Sequence, residues 1–237
     1  MYDILEAEEN AIIVKNSIES KLYNLKTNKF EEMKEFKTLI TNEIKYNVFK
    51  KIENSEKILI GAKAGEIFLQ EGENAIKIGN HLCLITSIDF FENRVYTTDK
   101  YNRMRITELT GEIKGYDFDV SVVFNFKNKF LKVKNNFLME KEQKICEKIL
   151  KNIWKVKVFE NFFVIFDENS AIQFDQDFTI INEMKGVVDV CFVDNFGLAA
   201  LKNSGEVVNS DGEIIFNINF KTENILNEVL RCQNYIK

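Results

Sequence analysis

A short turn followed by alternating apolar residues recurs along the chain and constrains the fold more than any other feature of the sequence. The six turn residues are Ser20, Gly65, Asn102, Asn136, Ser170 and Gly205, at spacings of 45, 37, 34, 34 and 35 residues. Gly and Asn tolerate a positive φ, and Asn and Ser hydrogen-bond their own backbone, as tight hairpin turns require. A period of this size is typical of a four-stranded propeller blade, so the sequence predicts an all-β fold, a β-propeller.

An apolar run precedes each turn and predicts the strand that enters the hairpin. These runs cover residues 11–14, 58–61, 95–98, 130–133, 162–166 and 198–201. Two repeats have a further run, at 86–90 and 187–192, rich in the β-branched and aromatic residues that favour a half-buried sheet. One blade cannot bury both faces alone, whereas stacked blades can, so we predict a single domain over residues 1–237 with six or seven blades.

Three segments have helical periodicity. Residues 140–154 carry isoleucines at i, i+4 and i+8, and we predict a short inserted helix there. Residues 224–236 carry apolar side chains at helical spacing, and we predict a C-terminal helix. Residues 30–52 also fit a helix, but the phase of the repeat favours strands there.

The composition excludes several classes of protein. Apolar residues make up 45% of the chain and aromatic residues 12%, so the chain can bury a sizeable core and is not disordered throughout. It has no apolar run long enough to span a membrane, and the acidic start, MYDILEAEEN, does not look like a signal peptide. We therefore expect an intracellular protein of the nucleus or cytoplasm. Cys83, Cys146, Cys191 and Cys232 form no Cys-x-x-Cys pair, which predicts free thiols and no metal site.

The net charge of −5 conceals a basic segment. Residues 127–157 hold ten lysines against three glutamates. Lysines that neutralise phosphates release condensed counterions, so this segment can bind RNA. The candidate RNA-binding residues are Lys127, Lys129, Lys132, Lys134, Lys141, Lys144, Lys148 and Lys151. Lys, Asn, Ile and Phe, which have AT-rich codons, supply 104 of the 237 residues, so a solvated face enriched in lysine by codon bias is the alternative.

The third repeat resembles a known family. Residues 79–88 read GNHLCLITSI and residues 94–107 read RVYTTDKYNRMRIT. They resemble a blade of the WD-repeat subunit of the eukaryotic tRNA (guanine-N7-)-methyltransferase, which reads G-H-x-x-x-L-T-x-V and then T-A-D-R-D-E-K-I-R-V-S. Residues 58–68, ILIGAKAGEIF, are similar to its L-V-A-D-K-x-G-D-V-Y, and residues 187–192, VVDVCF, to its V-W-D-V-A-F. The chain looks like a reduced and degenerate form, because it has no Trp-Asp pair and six repeats where the family has seven blades.

This resemblance implies a non-catalytic scaffold, which binds and stabilises a separate catalytic subunit and supports 7-methylguanosine formation in tRNA. In the family, the K and R of D-E-K-I-R-V help to bind that subunit, and they fall on Arg103 and Arg105. Asp99 and Lys100 fall on the preceding D and R, so these four residues are the predicted partner-binding site. An exposed hairpin with pairing inside the blade is the alternative. The resemblance implies no cofactor on this chain, since S-adenosylmethionine is expected on the partner subunit only, and tRNA is expected to bind through the complex.

The sequence offers little for catalysis. An enzyme needs a convergent set of acid, base or nucleophile, and the chain has one histidine, His81. A lone histidine after Gly79-Asn80 at a blade entrance is more often a structural hydrogen-bonding residue than a general base. No glycine-rich nucleotide loop opens a helix. We therefore predict a binding protein without catalytic residues, and we expect neither a membrane nor DNA as a partner.

A second function fits the basic segment. The chain could be a ribonucleoprotein-docking propeller, such as a ribosome-associated factor that occupies a tRNA-binding or other functional site and suppresses translation. Its partners would then be the ribosome and rRNA. A methyltransferase subunit recovered with the chain would favour the first function, whereas salt-sensitive co-sedimentation with ribosomes would favour the second.

Overall fold

The computed structural model describes residues 3–8, 11–15, 20–31, 46–194 and 196–218, which contain β-strands and no helix. Within these ranges, twenty-four strands form six four-stranded sheets, and the strands of each sheet are neighbours in chain order. Each predicted repeat corresponds to one sheet, with its predicted turn residue between the second and third strands or at the start of the third. The all-β prediction is therefore confirmed, and each predicted apolar run coincides with a strand to within one residue.

The first sheet contains β1 (Asp3–Glu8), β2 (Ala11–Lys15), β3 (Ser20–Asn24) and β4 (Lys29–Glu31), and the second contains β5 (Tyr46–Lys51), β6 (Lys57–Ala62), β7 (Glu66–Glu71) and β8 (Asn74–Asn80). The third contains β9 (Ile85–Phe91), β10 (Arg94–Asp99), β11 (Arg103–Glu108) and β12 (Ile113–Phe118), and the fourth contains β13 (Val120–Phe126), β14 (Lys129–Lys134), β15 (Phe137–Glu140) and β16 (Gln143–Lys144). The fifth contains β17 (Lys155–Val158), β18 (Phe163–Phe166), β19 (Ser170–Phe174) and β20 (Ile180–Lys185), and the sixth contains β21 (Val187–Val193), β22 (Gly197–Lys202), β23 (Glu206–Val208) and β24 (Ile214–Asn217).

The chain divides into two compact units. The first comprises residues 1–36, 169–171 and 184–237, with the first and last sheets. Its core includes Ile12, Tyr23, Cys191 and Phe216, and the rings of Tyr23 and Phe216 stack with centroids 4.0 Å apart. Burial of such side chains stabilises the sheets, because apolar surface leaves water.

The second unit comprises residues 37–168 and 172–183, with the second, third and fourth sheets and most of the fifth. One cluster packs the second sheet on the third around Leu59, Ile67 and Ile85. Another packs the fourth sheet on the fifth, where the rings of Phe163 and Phe174 stack with centroids 5.0 Å apart. A further cluster, with Tyr96 and Val123, packs the third sheet on the fourth, so the third sheet has a packed neighbour on each side within this unit.

The inserted helix predicted over residues 140–154 is wrong. The segment completes β15, turns into the short strand β16 and then runs without regular structure to β17. Two of its backbone N–H groups donate to carbonyls much farther back along the chain than the four residues of a helix. Ile145 donates to the carbonyl of Leu138 at 3.0 Å, and Leu150 donates to the carbonyl of Asn136 at 2.7 Å.

Burial explains why the isoleucine spacing was misleading. A helix would have placed Ile145, Ile149 and Ile153 on one buried face. In the structure Ile149 is 55% exposed, whereas Leu150 and Ile153 are buried in the core of the fourth and fifth sheets. Residues 140–154 therefore form an irregular segment, here called the strap, that covers the end of this core. The regular spacing of the three isoleucines does not reflect a helix.

The other predicted segments have mixed outcomes. Within residues 30–52, β4 ends at Glu31 and β5 begins at Tyr46, so the preference for strands is confirmed where the structure describes this stretch. The C-terminal helix predicted over residues 224–236 lies outside the described residues. No helix in the described ranges is long and apolar enough to cross a membrane.

Candidate partner-binding site

The tight turn between β10 and β11 is built around the side chain of Asp99. Residues 100–102 form the turn, and Asn102 has a φ of 59°, a conformation that asparagine tolerates. Asp99 Oδ1 accepts hydrogen bonds from the backbone N–H groups of Tyr101 at 2.9 Å and Arg103 at 3.2 Å. Asp99 is fully buried, so this predicted partner-binding residue supports the turn from the inside.

The second carboxylate oxygen of Asp99 connects the turn to the preceding sheet. Oδ2 accepts from Arg103 Nε at 2.8 Å and Nη2 at 2.6 Å, and from His81 Nδ1 at 3.2 Å. His81 lies in the loop between β8 and β9, and its Nε2 is 2.8 Å from Thr97 Oγ1. Charge-assisted bonds of this kind are stronger and more directional than neutral ones. The network therefore fixes the position of the Arg103 guanidinium.

Burial and hydrogen bonding set the protonation states of this network. Burial lowers the pKa of His81, although Asp99 acts in the opposite direction, so the ring is neutral at neutral pH. In that state Nδ1 donates to Asp99 and Nε2 accepts from the Thr97 hydroxyl. Burial acts to raise the pKa of Asp99, but hydrogen bonds from Arg103 and from backbone N–H groups outweigh it and hold that pKa below its ordinary value. Burial raises the pKa of Cys83, so its thiol remains protonated.

The lowered pKa of His81 predicts a loss of stability in mild acid. Because the folded pKa is lower, the unfolded chain takes up the proton first as the pH falls below about 6.5. The contribution of neutral His81 is complete above that pH and declines below it, by at most about 1.4 kcal/mol per pH unit. Urea unfolding at about pH 7.5 and about pH 5.5 should show a larger loss for the wild type than for His81→Gln. An equal loss in both proteins would contradict this assignment.

The outer side of the turn exposes cations and an aromatic ring. Tyr101 is 64% exposed, and its ring lies 5.0 Å from Lys100 Nζ and 5.4 Å from Arg103 Cζ, within cation–π range. Arg105 donates from Nε to Thr107 Oγ1 at 3.0 Å and from Nη1 to the carbonyl of Asn80 at 2.8 Å. Both acceptors are neutral, and no carboxylate in the described part of the chain forms an ion pair with Arg105.

The four predicted partner-binding residues thus come together with two different roles. Asp99 is internal, and Arg103 is half-buried with its charge compensated by Asp99. Lys100 is exposed, and Arg105 is half-buried with an uncompensated charge. Pairing inside the blade, the alternative drawn from the sequence, is therefore found for Asp99 and Arg103. Partner binding by Lys100 and Arg105 stays a prediction.

Sequence reasoning missed the aromatic residues beside the two arginines. Tyr116 and Phe118 on β12 are 58% and 61% exposed. Strand pairing places Tyr116 opposite Arg105 and Phe118 opposite Arg103. The alternation of residues 116–118 was a visible signal, but only the pairing register shows that both aromatic side chains lie on the same face as the arginines.

The eight candidate RNA-binding lysines are mostly engaged within the chain. Lys132 is buried, with its Nζ 2.9 Å from Asp117 Oδ2 and 2.6 Å from Glu142 Oε1. Lysines 127, 129, 134, 144 and 148 have polar partners, which are Asn161, Glu140, Asp117, Glu147 and Glu183 in that order. Lys141 and Lys151 are exposed, and neither has a carboxylate partner in the described ranges. RNA binding by this segment stays a prediction, which now depends most on these two residues.

Comparison with known proteins identifies the fold. No family model matches the chain, and no curated protein matches it. The crystal structure of the C-terminal WD40 domain of Sif2 is similar, with a TM-score of 0.55 and 12% identity over 90% of this chain and 70% of that chain. The computationally designed Ika8 protein is also similar, with a TM-score of 0.51 and 13% identity over 86% of this chain and 69% of that chain. The fold is therefore that of a WD40-like β-propeller.

Proposed function

We propose that this chain is a non-catalytic scaffold that binds and stabilises the catalytic subunit of a tRNA (guanine-N7-)-methyltransferase, and so supports 7-methylguanosine formation in tRNA. The WD40-like fold supports a scaffold, and the resemblance of residues 79–107 supports this particular partner. One observation assigns the proposed partner binding to particular residues. Arg105 keeps an uncompensated positive charge on β11, and Arg103 and Arg105 fall on the positions that help to bind the partner in the family that the chain resembles.

The geometry suits binding without catalysis. Arg105 is held by Thr107 and Asn80 and lies against Gly79, where a Cβ atom would be 3.1 Å from Nη2. Its planar guanidinium can donate to a carboxylate on a partner, and little side-chain entropy is lost because the group is already positioned. Asp99 and His81 hold the neighbouring Arg103 in the same way. In this proposal S-adenosylmethionine and the methyl transfer belong to the partner.

Co-expression tests the proposal directly. The full chain is co-expressed with the tagged methyltransferase subunit of the same genome, and the eluate is analysed by size-exclusion chromatography with mass spectrometry. A one-to-one complex that methylates tRNA at guanine N7, with a free chain that neither binds S-adenosylmethionine nor methylates, would support the proposal. A catalytic subunit that stays soluble and active but elutes alone would refute it.

Charge reversal at Arg105 is expected to break this complex. Arg105→Glu puts a carboxylate where the partner's carboxylate is expected, and losing one member of such a pair costs about 2–5 kcal/mol, or at least about 30-fold in Kd. Biolayer interferometry measures the Kd. Arg94→Glu is the matched control, because Arg94 is an exposed arginine at the opposite end of the same sheet and should leave the Kd unchanged. An unchanged Kd for Arg105→Glu would remove Arg105 from the interface.

Ribosome docking is a second candidate function because one observation favours it: Lys141 and Lys151 are both exposed. Because six of the eight candidate lysines have partners within the chain, less of the basic segment is available for phosphate than its composition indicates. Affinity purification of the full chain separates the two functions. Recovery of rRNA and ribosomal proteins without a methyltransferase subunit, in amounts that fall steeply with salt, would favour docking to the ribosome.

A further inference from the structure

The edge strand of the third sheet presents an unusual surface. The order of this sheet is β12-β11-β10-β9, so β12 lies at its edge. Phe118 is paired with Arg103, and Tyr116 is paired with Arg105. Side chains that are directly opposite in an antiparallel pair project to the same face, with Cβ atoms about 4.5–5.5 Å apart. Two arginines and two exposed aromatic residues therefore form one block.

Tyr101 extends this block towards the turn. Its ring is 5.4 Å from Arg103 Cζ, and its side chain is more exposed than those of Tyr116 and Phe118. We refer to Tyr101, Arg103, Arg105, Tyr116 and Phe118 as the arginine–aromatic patch. Single exposed apolar residues are ordinary on protein surfaces, whereas three aromatic side chains grouped around two arginines are typical of interaction sites.

The patch has an excess of positive charge because the nearest acidic side chains do not lie on its exposed face. Asp117 is opposite the buried Met104, and its carboxylate binds Lys132 at 2.9 Å and Lys134 at 2.8 Å on the other face of the sheet. Asp99, which compensates Arg103, is buried beneath the turn. The exposed face is therefore apolar with an excess positive charge, to which Arg105 contributes most.

We propose that the arginine–aromatic patch is the docking surface for an acidic segment of a partner protein that carries aromatic or aliphatic side chains beside its carboxylates. The inference rests on the proposed scaffold function and names the chemistry of the partner segment. A carboxylate binds the Arg105 fork, while the apolar side chains next to it cover Tyr116 and Phe118. Burial of these rings excludes water from the ion pair and so strengthens it.

A protein segment fits the patch better than RNA does. RNA bases also stack on aromatic rings, but affinity for RNA depends on several phosphate contacts. The patch has one uncompensated arginine, with Lys100 next to the ring of Tyr101, on a chain of net charge −5. Such a surface matches one or two carboxylates and attracts a polyanion weakly. RNA binding is therefore an outcome that would contradict the proposal.

Fluorescence anisotropy with the full chain tests the patch. The probes are labelled 12-residue peptides: one alternates Glu or Asp with Phe or Leu, a second has Gln and Asn for the acids, and a third has Ser for the apolar residues. A single-stranded RNA 12-mer is the fourth probe. The acidic apolar peptide should bind at least about tenfold more tightly than the other three probes. Equal binding of the neutral peptide, preferential binding of the RNA, or no binding of the acidic apolar peptide would overturn the proposal.

Variants locate the binding. The double substitution Tyr116→Ser, Phe118→Ser should raise the Kd of the acidic apolar peptide at least about tenfold, whereas Ile181→Ser should leave it unchanged. Ile181 is the matched control, because it is 54% exposed on β20 in another sheet. All variants replace exposed side chains, so their urea midpoints should match that of the wild type. Equal weakening by both substitutions would place the peptide elsewhere on the chain.

The two proposals can fail separately. If the methyltransferase subunit assembles equally well with the wild type and with the Tyr116→Ser, Phe118→Ser double variant, the docking inference is wrong while the proposed function stands. If the acidic apolar peptide binds at the patch but the methyltransferase subunit does not assemble, the docking inference stands and the proposed partner is wrong.

Discussion

Replacing Asp99 with alanine is expected to lower the free energy of unfolding by about 3–5 kcal/mol. The carboxylate is fully buried and accepts hydrogen bonds from two backbone N–H groups, the Arg103 guanidinium and His81. Alanine leaves those donors without their acceptor, and the side chain of His81 is itself buried. Urea unfolding at neutral pH, followed by far-UV circular dichroism, measures the effect. The loss should exceed that of any exposed charge, because exposed ion pairs contribute about 0–1 kcal/mol.

Two further variants separate the role of Asp99 as a hydrogen-bond acceptor from the role of its negative charge. Asp99→Asn keeps a carbonyl oxygen for the turn but loses the ion pair with Arg103, so a loss of stability between those of the wild type and Asp99→Ala is expected. Asp211→Ala removes an exposed turn carboxylate and should change the free energy of unfolding by less than about 0.5 kcal/mol. If Asp99→Ala were no more destabilising than Asp211→Ala, the hydrogen bonds to Asp99 would not stabilise the turn between β10 and β11.

The six sheets could be predicted from the sequence because hairpin turns are local. Gly65, Asn102, Asn136 and Gly205 all have a positive φ, a requirement that restricts the residue type at one position whatever surrounds it. The apolar run before each turn is equally local, because it needs only an extended backbone with a buried face. Repetition then adds weight to signals that are weak in any one blade.

The strap over residues 140–154 could not be predicted, because its conformation depends on distant strands. Leu150 and Ile153 are buried by the fourth and fifth sheets, and the backbone of Leu150 bonds to Asn136. Isoleucine at helical spacing is a weak preference that tertiary packing overrides. Because this segment has few hydrogen bonds within itself, its conformation is determined by the sheets on which it packs.

The clustering of the candidate residues was predictable, but their contacts were not. Motif resemblance led to Asp99, Lys100, Arg103 and Arg105, and the fold does bring them together on one hairpin. It could not show that Asp99 is internal, because that follows from contacts with His81, which lies in the loop before the sheet. Nor could it show Tyr116 and Phe118, whose exposure depends on which face of β12 the neighbouring sheet covers.

The loop that carries His81 packs directly on a glycine of the second sheet, and this contact gives the second large effect. Gly65 has a φ of +103°, and a Cβ atom there would lie 2.6 Å from the carbonyl oxygen of His81 and 2.8 Å from that of Cys83. Both oxygens are backbone atoms, so the loop itself must move. Gly65→Ala is expected to cost about 3 kcal/mol or more, from strain in the backbone together with a displaced loop.

Gly72→Ala is the control for a positive φ without a clash, because Gly72 has a φ of +60° and a Cβ atom there would meet nothing within 4 Å. Its expected cost is about 1 kcal/mol, the usual penalty for a side chain in the left-handed region. The excess cost of Gly65→Ala in urea unfolding then combines the clash with the loop and the greater backbone strain at a φ of +103°. Because that loop supplies His81 to Asp99 and directly follows Asn80, whose carbonyl accepts from Arg105, Gly65→Ala should also weaken partner binding, whereas Gly72→Ala should not. Equal losses of stability in the two variants would mean that the loop moves freely and does not fix the arginines.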